Sequence, residues 1–378
     1  MAGRIGSGRA GFATSPTSTR NFSGGAFGVV PIGRGRVKKF QPNPAPLRLG
    51  RVSNLERVPP ETEVSPTPAS AGPVREVLTG HEVALGGVRA MTVTRSLPNR
   101  GRRTVGAWCF ADAYGPTDLA GGNWGEHPGM WVPPHPHTAL QTVSWLLAGE
   151  VLHRDSLGHQ QLIRPGQLNL MTAGRGISHS EETPPEHSPW LHGVQLWVAL
   201  PESDRHTAPR FEHHAELPVV SAGGVDVTVV MGELAGAISP ARIYTPLVCA
   251  DAALAAGAST RLPLRPEFEY AVLTLSGTAR VDGLDLEPGP LLYLGSGRSE
   301  LEVSATDPAR LILLGGEPFE EQLVMWWNFV GRSHEDIVQA RDDWQAGVGF
   351  GAVEGFDGDR LPAPALPGTR LRPRGRER

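Results

Sequence analysis

Between about residues 75 and 349 the chain reads as short runs in which apolar and polar positions alternate or apolar residues run unbroken. Val83–Val93, Gln141–Leu147, Gln195–Ala199, Val225–Val230, Tyr270–Leu275 and Arg310–Leu314 are examples, and Gly, Pro, Asp or Asn stands close to most of their ends. A period of two places alternate side chains on opposite faces of an extended segment. Many such segments broken by turns predict a sandwich or barrel. The pattern turns clearly helical once, near the end. Ser333 with Asp336 is a capping box with aspartate in place of the usual glutamate, Ile337, Ala340 and Trp344 follow at helical spacing, and Gly347 can close the element. This predicts a helix over 334–346.

The pattern also repeats. Pro165-Gly166-Gln167-Leu168 through Gly174-Arg175 lines up without gaps on Pro288-Gly289-Pro290-Leu291 through Gly297-Arg298. Upstream, the strand ending at Gly149 lines up on the strand ending at Gly277. Two copies of one all-β unit are expected, over 75–215 and 216–318, followed by a segment over 319–349 that holds the helix. The ends differ. Residues 1–74 are rich in Gly, Ser, Pro and Arg, have only Glu56, Glu61 and Glu63 as acids, and show neither period. They are expected to be a disordered tail, and their composition also resembles an organellar transit peptide. Residues 350–378 read as a second, Pro/Arg-rich tail.

Composition narrows the function classes. Glycine (47) and proline (35) exceed a fifth of the 378 residues, which favours turns over long helices. A net charge of −4 gives no global attraction to nucleic acid or to an anionic membrane. All basic residues but Lys38 and Lys39 are arginine, a coding bias without mechanistic content. Cys109 and Cys249 are the only cysteines, too few and too far apart for a secreted disulfide framework, and they read as small buried hydrophobes. No apolar run approaches the ~20 residues of a membrane span, and no apolar stretch marks a secretory signal. A soluble, cytoplasmic monomer is expected.

One constellation carries chemistry. His135-Pro136-His137 places two imidazoles at i and i+2, and His179-Ser180-Glu181 places an imidazole and a carboxylate at the same spacing. On extended segments each pair faces one side. Pro134 and Pro136 hold the first segment extended. If the two segments are neighbouring strands with these faces inward, His135, His137, His179 and Glu181 converge on one point. Three neutral imidazoles and a carboxylate suit a divalent first-row ion. Any single His-x-His arises often by chance in a chain with 13 histidines; two i,i+2 pairs beside Gly and Pro in a β-rich context do not. From Ala215 to Phe319 there is no histidine, so only the first unit can build this set. The gap-free offset puts Glu302 and Ser304 in place of His179 and Glu181, with Pro263 and Arg265 near the place of His135 and His137.

The runs Pro134-His135-Pro136-His137, Leu152-His153-Arg154-Asp155-Ser156-Leu157-Gly158 and Met171-Thr172-Ala173-Gly174-Arg175-Gly176-Ile177-Ser178-His179-Ser180-Glu181 resemble the pirin family of the cupin superfamily. Gly315-Gly316-Glu317-Pro318-Phe319, Met325-Trp326-Trp327-Asn328-Phe329-Val330-Gly331 and the capped helix are similar to that family's C-terminal segment. The resemblance covers about Arg75 to Gly349. It implies two cupin barrels facing each other, with a metal in the first and none in the second. It carries the ligand role onto His135, His137, His179 and Glu181 without substitution. The implied ion is one Fe(II), with Mn, Ni, Co or Zn as alternatives. Two departures stand out: the N-terminal tail is longer than a pirin needs, and Gly125–Trp131 falls where the family varies.

The resemblance implies two functions. One is a dioxygenase of the quercetin 2,3-dioxygenase type, acting on a flavonol or a related enol or catechol aromatic with dioxygen. Glu181 would then be both ligand and general base. The other is a metal- or redox-dependent regulatory protein that binds a transcription factor or metabolic enzyme without turnover. His153 and Asp155 read equally as a group that orients a ligand imidazole or as a plain turn, and stay outside the ligand set. His187, His192, His206, His213 and His214 receive no role, and Trp326 and Trp327 are expected to be packing residues.

Overall fold

The fold is described from a computed structural model that describes residues 74–84, 91–121, 127 and 129–377. The expected disordered tail lies outside the described residues except for Val74, as does part of the variable segment before Trp131.

The first half runs β1 (Glu76–Leu78), β2 (His81–Ala84), β3 (Thr92–Leu97), β4 (Trp108–Asp118), β5 (Trp131–His137), β6 (Leu140–Ala148), β7 (Val151–Asp155), β8 (Gln160–Ile163), β9 (Leu168–Thr172), β10 (Ile177–Glu182), β11 (Trp190–Ala199) and β12 (Arg210–His214). The second half runs β13 (Val219–Ala222), β14 (Val225–Leu234), β15 (Ala237–Ile238), β16 (Leu247–Leu254), β17 (Ser259–Pro263), β18 (Glu269–Ser276), β19 (Ala279–Val281), β20 (Leu284–Leu286), β21 (Leu291–Gly295), β22 (Glu300–Ser304) and β23 (Ala309–Gly316). The hairpin β24 (Val324–Trp326) and β25 (Phe329–Gly331) and the helix α1 (His334–Ala346) follow.

Two barrels of the expected kind result. In the first, the sheet β12-β9-β6-β11-β4-β3-β2 faces the small sheet β5-β10-β7-β8. In the second, β1-β21-β18-β23-β16-β14-β13 faces β17-β22-β19-β20. All strand pairs within these sheets are antiparallel. The largest apolar cluster joins the two large sheets: Trp108, Trp145 and Leu196 of the first lie in one cluster with Cys249, Leu273 and Ile312 of the second. Two indole N–H groups cross the same interface. Trp145 Nε1 donates to Asp251 Oδ2 at 2.7 Å and Trp108 Nε1 to the Gly315 carbonyl at 3.1 Å. Both cysteines are buried there as free thiols, and burial pushes the Cys109 thiol up to about 12, so they are the inert hydrophobes expected.

The helix occupies His334–Ala346, with both bonds of the Ser333/Asp336 capping box and a left-handed Gly347 at its end. Ile337, Ala340 and Trp344 are its buried face. They pack with Trp326, Trp327 and Phe329, which gives the tryptophan pair its expected packing role.

Several expectations change. Val83–Val93 is not one strand: Val83 pairs with Val93 across the antiparallel β2–β3 pair, so the two ends of the run lie on two different strands. Glu76–Leu78 does not belong to the first barrel but adds an edge strand beside β21 of the second. The repeat alignment slips by one residue after its turn. Glu302, which matches His179 by offset, is exposed and Ser304, which matches Glu181, is half-buried, while Leu301 and Val303 between and beside them are buried. The strand paired with β22 is Ser259–Pro263, not a segment reaching Arg265, and its buried Leu262 lies opposite Leu301. In a strand a one-residue slip exchanges the two faces. Leucine and valine therefore fill the place that histidines hold in the first barrel.

The Pro/Arg-rich C-terminal segment packs as a strap. Ser178 N donates to the Phe350 carbonyl at 3.1 Å, Leu361 N to that of Pro134 at 2.8 Å, and Leu323 and Arg374 exchange backbone bonds. Phe350 and Ala363 are buried in the helix cluster, and Leu361, Leu366 and Leu371 pack against it. The apolar residues spaced among the prolines account for this, since each finds a partner on the hairpin or helix.

Candidate metal centre

The site residues sit on the small sheet of the first barrel. β5 is the edge strand of that sheet, paired only with β10, which explains how Pro133, Pro134 and Pro136 are tolerated within it. The turn before β10 needs glycine at 174: φ there is +52°, and an added Cβ would lie 2.0 Å from the Thr207 carbonyl oxygen. Across the β5–β10 pair His135 stands opposite His179, and a bulge follows between His179 and Glu181. Across β10–β7, His179 stands opposite Asp155 and Glu181 opposite His153. Alternation therefore aims His135, His137, His179, Glu181, His153 and Asp155 into the barrel, and all six are buried.

Three imidazoles come together. His135, His137 and His179 each offer a ring nitrogen within 4.8 Å of the others. Nδ1 of His135 lies 2.9 Å from the Pro133 carbonyl and Nδ1 of His137 lies 3.1 Å from the Asn328 carbonyl. A carbonyl only accepts, so each Nδ1 carries the proton and each Nε2 presents a lone pair. Nε2 of His137 and Nε2 of His179 are 3.0 Å apart. Two nitrogens bound at about 2.1 Å to one ion, at a right angle, would stand about 3.0 Å apart. The donor set thus fits a divalent cation. Burial pushes the His135 imidazole down to about 4, against a smaller upward pull from the Pro133 carbonyl, and burial holds His137 and His179 well below their usual range. All three are neutral donors at physiological pH.

Glu181 is placed differently from the expectation. Its carboxylate falls within 4.8 Å of His179 and His153 as a second group, rather than joining all three imidazoles. Ser144, on β6 of the facing sheet, donates to Glu181 Oε1 at 3.0 Å. Burial raises the Glu181 carboxyl above its usual range, opposed by nearby His153 and by hydrogen bonds from Ser144 and Gln195.

Sequence reasoning left out several members of this site. His153 and Asp155 line it, though their own i,i+2 spacing on a strand was the same signal that marked the ligands. Ser144, Gln195, Trp197 and Phe211 reach it from the large sheet, where nothing local distinguishes them. The Trp197 ring meets His137 edge-on at 5.1 Å and Phe211 stacks on His153 at 4.4 Å.

Residues 89–198 match the family model described as Pirin, and residues 249–351 match that of the Pirin C-terminal cupin domain. The chain belongs to the pirin family. Its two barrels are cupins. A Pseudomonas aeruginosa relative whose name proposes a quercetin 2,3-dioxygenase is 45% identical over 291 residues, 77% of this chain and 90% of that protein. Human pirin is 36% identical over 230 residues, 58% of this chain and 78% of its own length. Among solved structures, a quercetin 2,3-dioxygenase from Acinetobacter baumannii superposes with a TM-score of 0.74 at 42% identity, covering 79% of this chain and 97% of that one. Among the described residues no helix is long and apolar enough to cross a membrane.

Proposed function

We propose that this pirin-family chain is a metal-dependent dioxygenase of the quercetin 2,3-dioxygenase type, acting on a flavonol or a related enol or catechol aromatic. In this reading His135, His137, His179 and Glu181 hold one divalent ion, Fe(II). The observation that carries it is the set of buried, neutral imidazoles with Nε2 atoms turned toward one point and a carboxylate on the same inward face. The likeness to two proteins that bear the dioxygenase name supports it.

A divalent ion held there would supply Lewis acidity toward an enolic oxygen and, if redox-active like Fe(II), electrons to dioxygen. The chain's residues supply the rest. Pro133 and Asn328 hold two imidazoles in the donor tautomer before any cation arrives. Glu181 takes the substrate's hydroxyl proton at the carboxylate oxygen that Ser144 does not bind, and its raised affinity for a proton suits that task. Leu119, Met130, Val132 and Leu146 belong to one buried apolar cluster, and Val132 stands opposite Glu181 across the β5–β10 pair.

The test is to strip the protein of metal, reload it separately with Fe(II), Mn, Ni, Co and Zn, and follow oxygen uptake with loss of quercetin absorbance. Turnover that tracks bound metal is expected. One metal bound per chain with no oxygen uptake across a panel of polyphenols would overturn the enzymatic reading and favour a regulatory binding protein.

A further inference from the structure

His153 and Asp155 lie outside the four ligands proposed above, although His153 stands within 4.8 Å of His179 and Glu181, and both are almost fully buried beside them. Their surroundings fix where protons sit. Asp155 Oδ1 accepts from the backbone N–H groups of Leu157 at 2.9 Å and His159 at 3.1 Å. Its Oδ2 lies 3.3 Å from His153 Nε2. Burial pushes this carboxyl upward, but hydrogen bonds from His153, His159 and the backbone outweigh it and hold the group below its usual range. An ionised carboxylate only accepts, so His153 Nε2 is a donor. A neutral imidazole with its proton on Nε2 has a lone pair on Nδ1. That Nδ1 lies 3.4 Å from Nδ1 of His179. His179 Nδ1 is then the donor, and its Nε2 carries the lone pair that faces His137. The stack of Phe211 on the His153 ring, at 4.4 Å and 13° from parallel, holds that ring in plane for both contacts.

We propose that Asp155 and His153 form a two-member relay that fixes the tautomer and aim of His179, making His153 a positioning residue for the metal centre. The logic matches that at the other two imidazoles. His135 and His137 have their Nδ1 protons held by backbone carbonyls; His179 has none and uses a side chain instead. Because a side-chain acceptor can be replaced without altering the backbone, His179 is the one imidazole of the three whose orientation substitution can release. Hydrogen-bond acceptors behind a metal-bound histidine typically contribute 10–100-fold in metal affinity. This inference rests on the metal-centre reading given above.

The experiment uses the full chain with ¹⁵N-labelled histidine rings, loaded with Zn(II), and reads ring tautomers by two-bond ¹H–¹⁵N correlation. The expected result is His179 protonated on Nδ1 with Nε2 bound to zinc, and His153 protonated on Nε2 with a free Nδ1. His153→Phe keeps a ring against Phe211 but removes the acceptor. It should bind Zn(II) 10–100-fold more weakly while the metal-free protein keeps its melting temperature. His153→Asn, whose amide oxygen can accept near the place of Nδ1, should recover part of that loss. A His153 nitrogen bound to zinc, a His153 ring protonated on Nδ1, or unchanged zinc affinity in His153→Phe would overturn the relay. Wild-type protein that takes up no Zn(II) would instead overturn the metal-centre reading, and the relay with it. The wild-type spectrum decides the matter alone if His153→Phe does not fold.

Discussion

Phe350→Ala tests whether the C-terminal strap supports the centre. The side chain is 6% exposed. Its ring lies 5.7 Å from Trp344, edge to face, and 5.8 Å from Phe329. It also covers Gly176, where an added Cβ would stand 3.2 Å from its ring. Phe→Ala in a core costs about 3–5 kcal/mol, and a site at the rim, where neighbours can collapse inward, belongs at the low end, about 3 kcal/mol. Phe350→Leu keeps most of the volume and should cost about 1 kcal/mol. The effect should reach the site. Phe329 follows Asn328, whose carbonyl holds Nδ1 of His137 at 3.1 Å, and Thr138 donates to the Val330 carbonyl at 3.2 Å. The Phe350 carbonyl that Ser178 uses remains in both variants, so the side chain is tested apart from the backbone bond. The assay is denaturant unfolding of wild type, Phe350→Leu and Phe350→Ala, with Zn(II) affinity measured on the same preparations. A loss below about 1 kcal/mol in Phe350→Ala would show that the strap merely lies on the surface.

Three more outcomes are expected. Glu181→Gln keeps size and one oxygen donor but not basicity, so turnover per bound metal should fall roughly 10²–10⁴-fold, and wild-type turnover per metal would remove the base role. His135→Ala combined with His179→Ala should leave the chain without tightly held metal, measured by elemental analysis; full occupancy in that variant would place the metal elsewhere. In metal-stripped protein the His135 imidazole is lowered from 6.5 to about 4, so the unfolded chain binds its proton first as pH falls and stability is lost from pH 6.5 downward. At pH 5 that amounts to about 2 kcal/mol relative to pH 7. His137 and His179 act in the same direction, while Glu181, raised by burial, acts in the opposite one. Unfolding midpoints at pH 7 and pH 5 should show a shallower pH response in His135→Gln, and equal responses would contradict the assignment.

The alternation of apolar and polar residues determined the strand segments around Gln141, Gln195, Val225, Tyr270 and Arg310, and the cap residues Ser333, Asp336 and Gly347 determined the helix to the residue. Side-chain alternation also placed His135 with His137, and His179 with Glu181, on shared faces. These are local properties, set by the geometry of one strand or one turn, so a single segment carries them. Tertiary structure decided what depends on distant partners. Only pairing shows that Glu76–Leu78 completes the second barrel, that Val83 meets Val93, and that the second repeat slips so that Leu301 and Val303 face inward. Only the packed strap gives Phe350 its neighbours. The protonation of the histidines is likewise non-local: it follows from Pro133 and Asn328 carbonyls and from Asp155 through His153, contacts that in two of the three cases cross from one strand or segment to another. A sequence names the donors, but an imidazole's free lone pair is chosen by whichever group the fold places behind the other nitrogen.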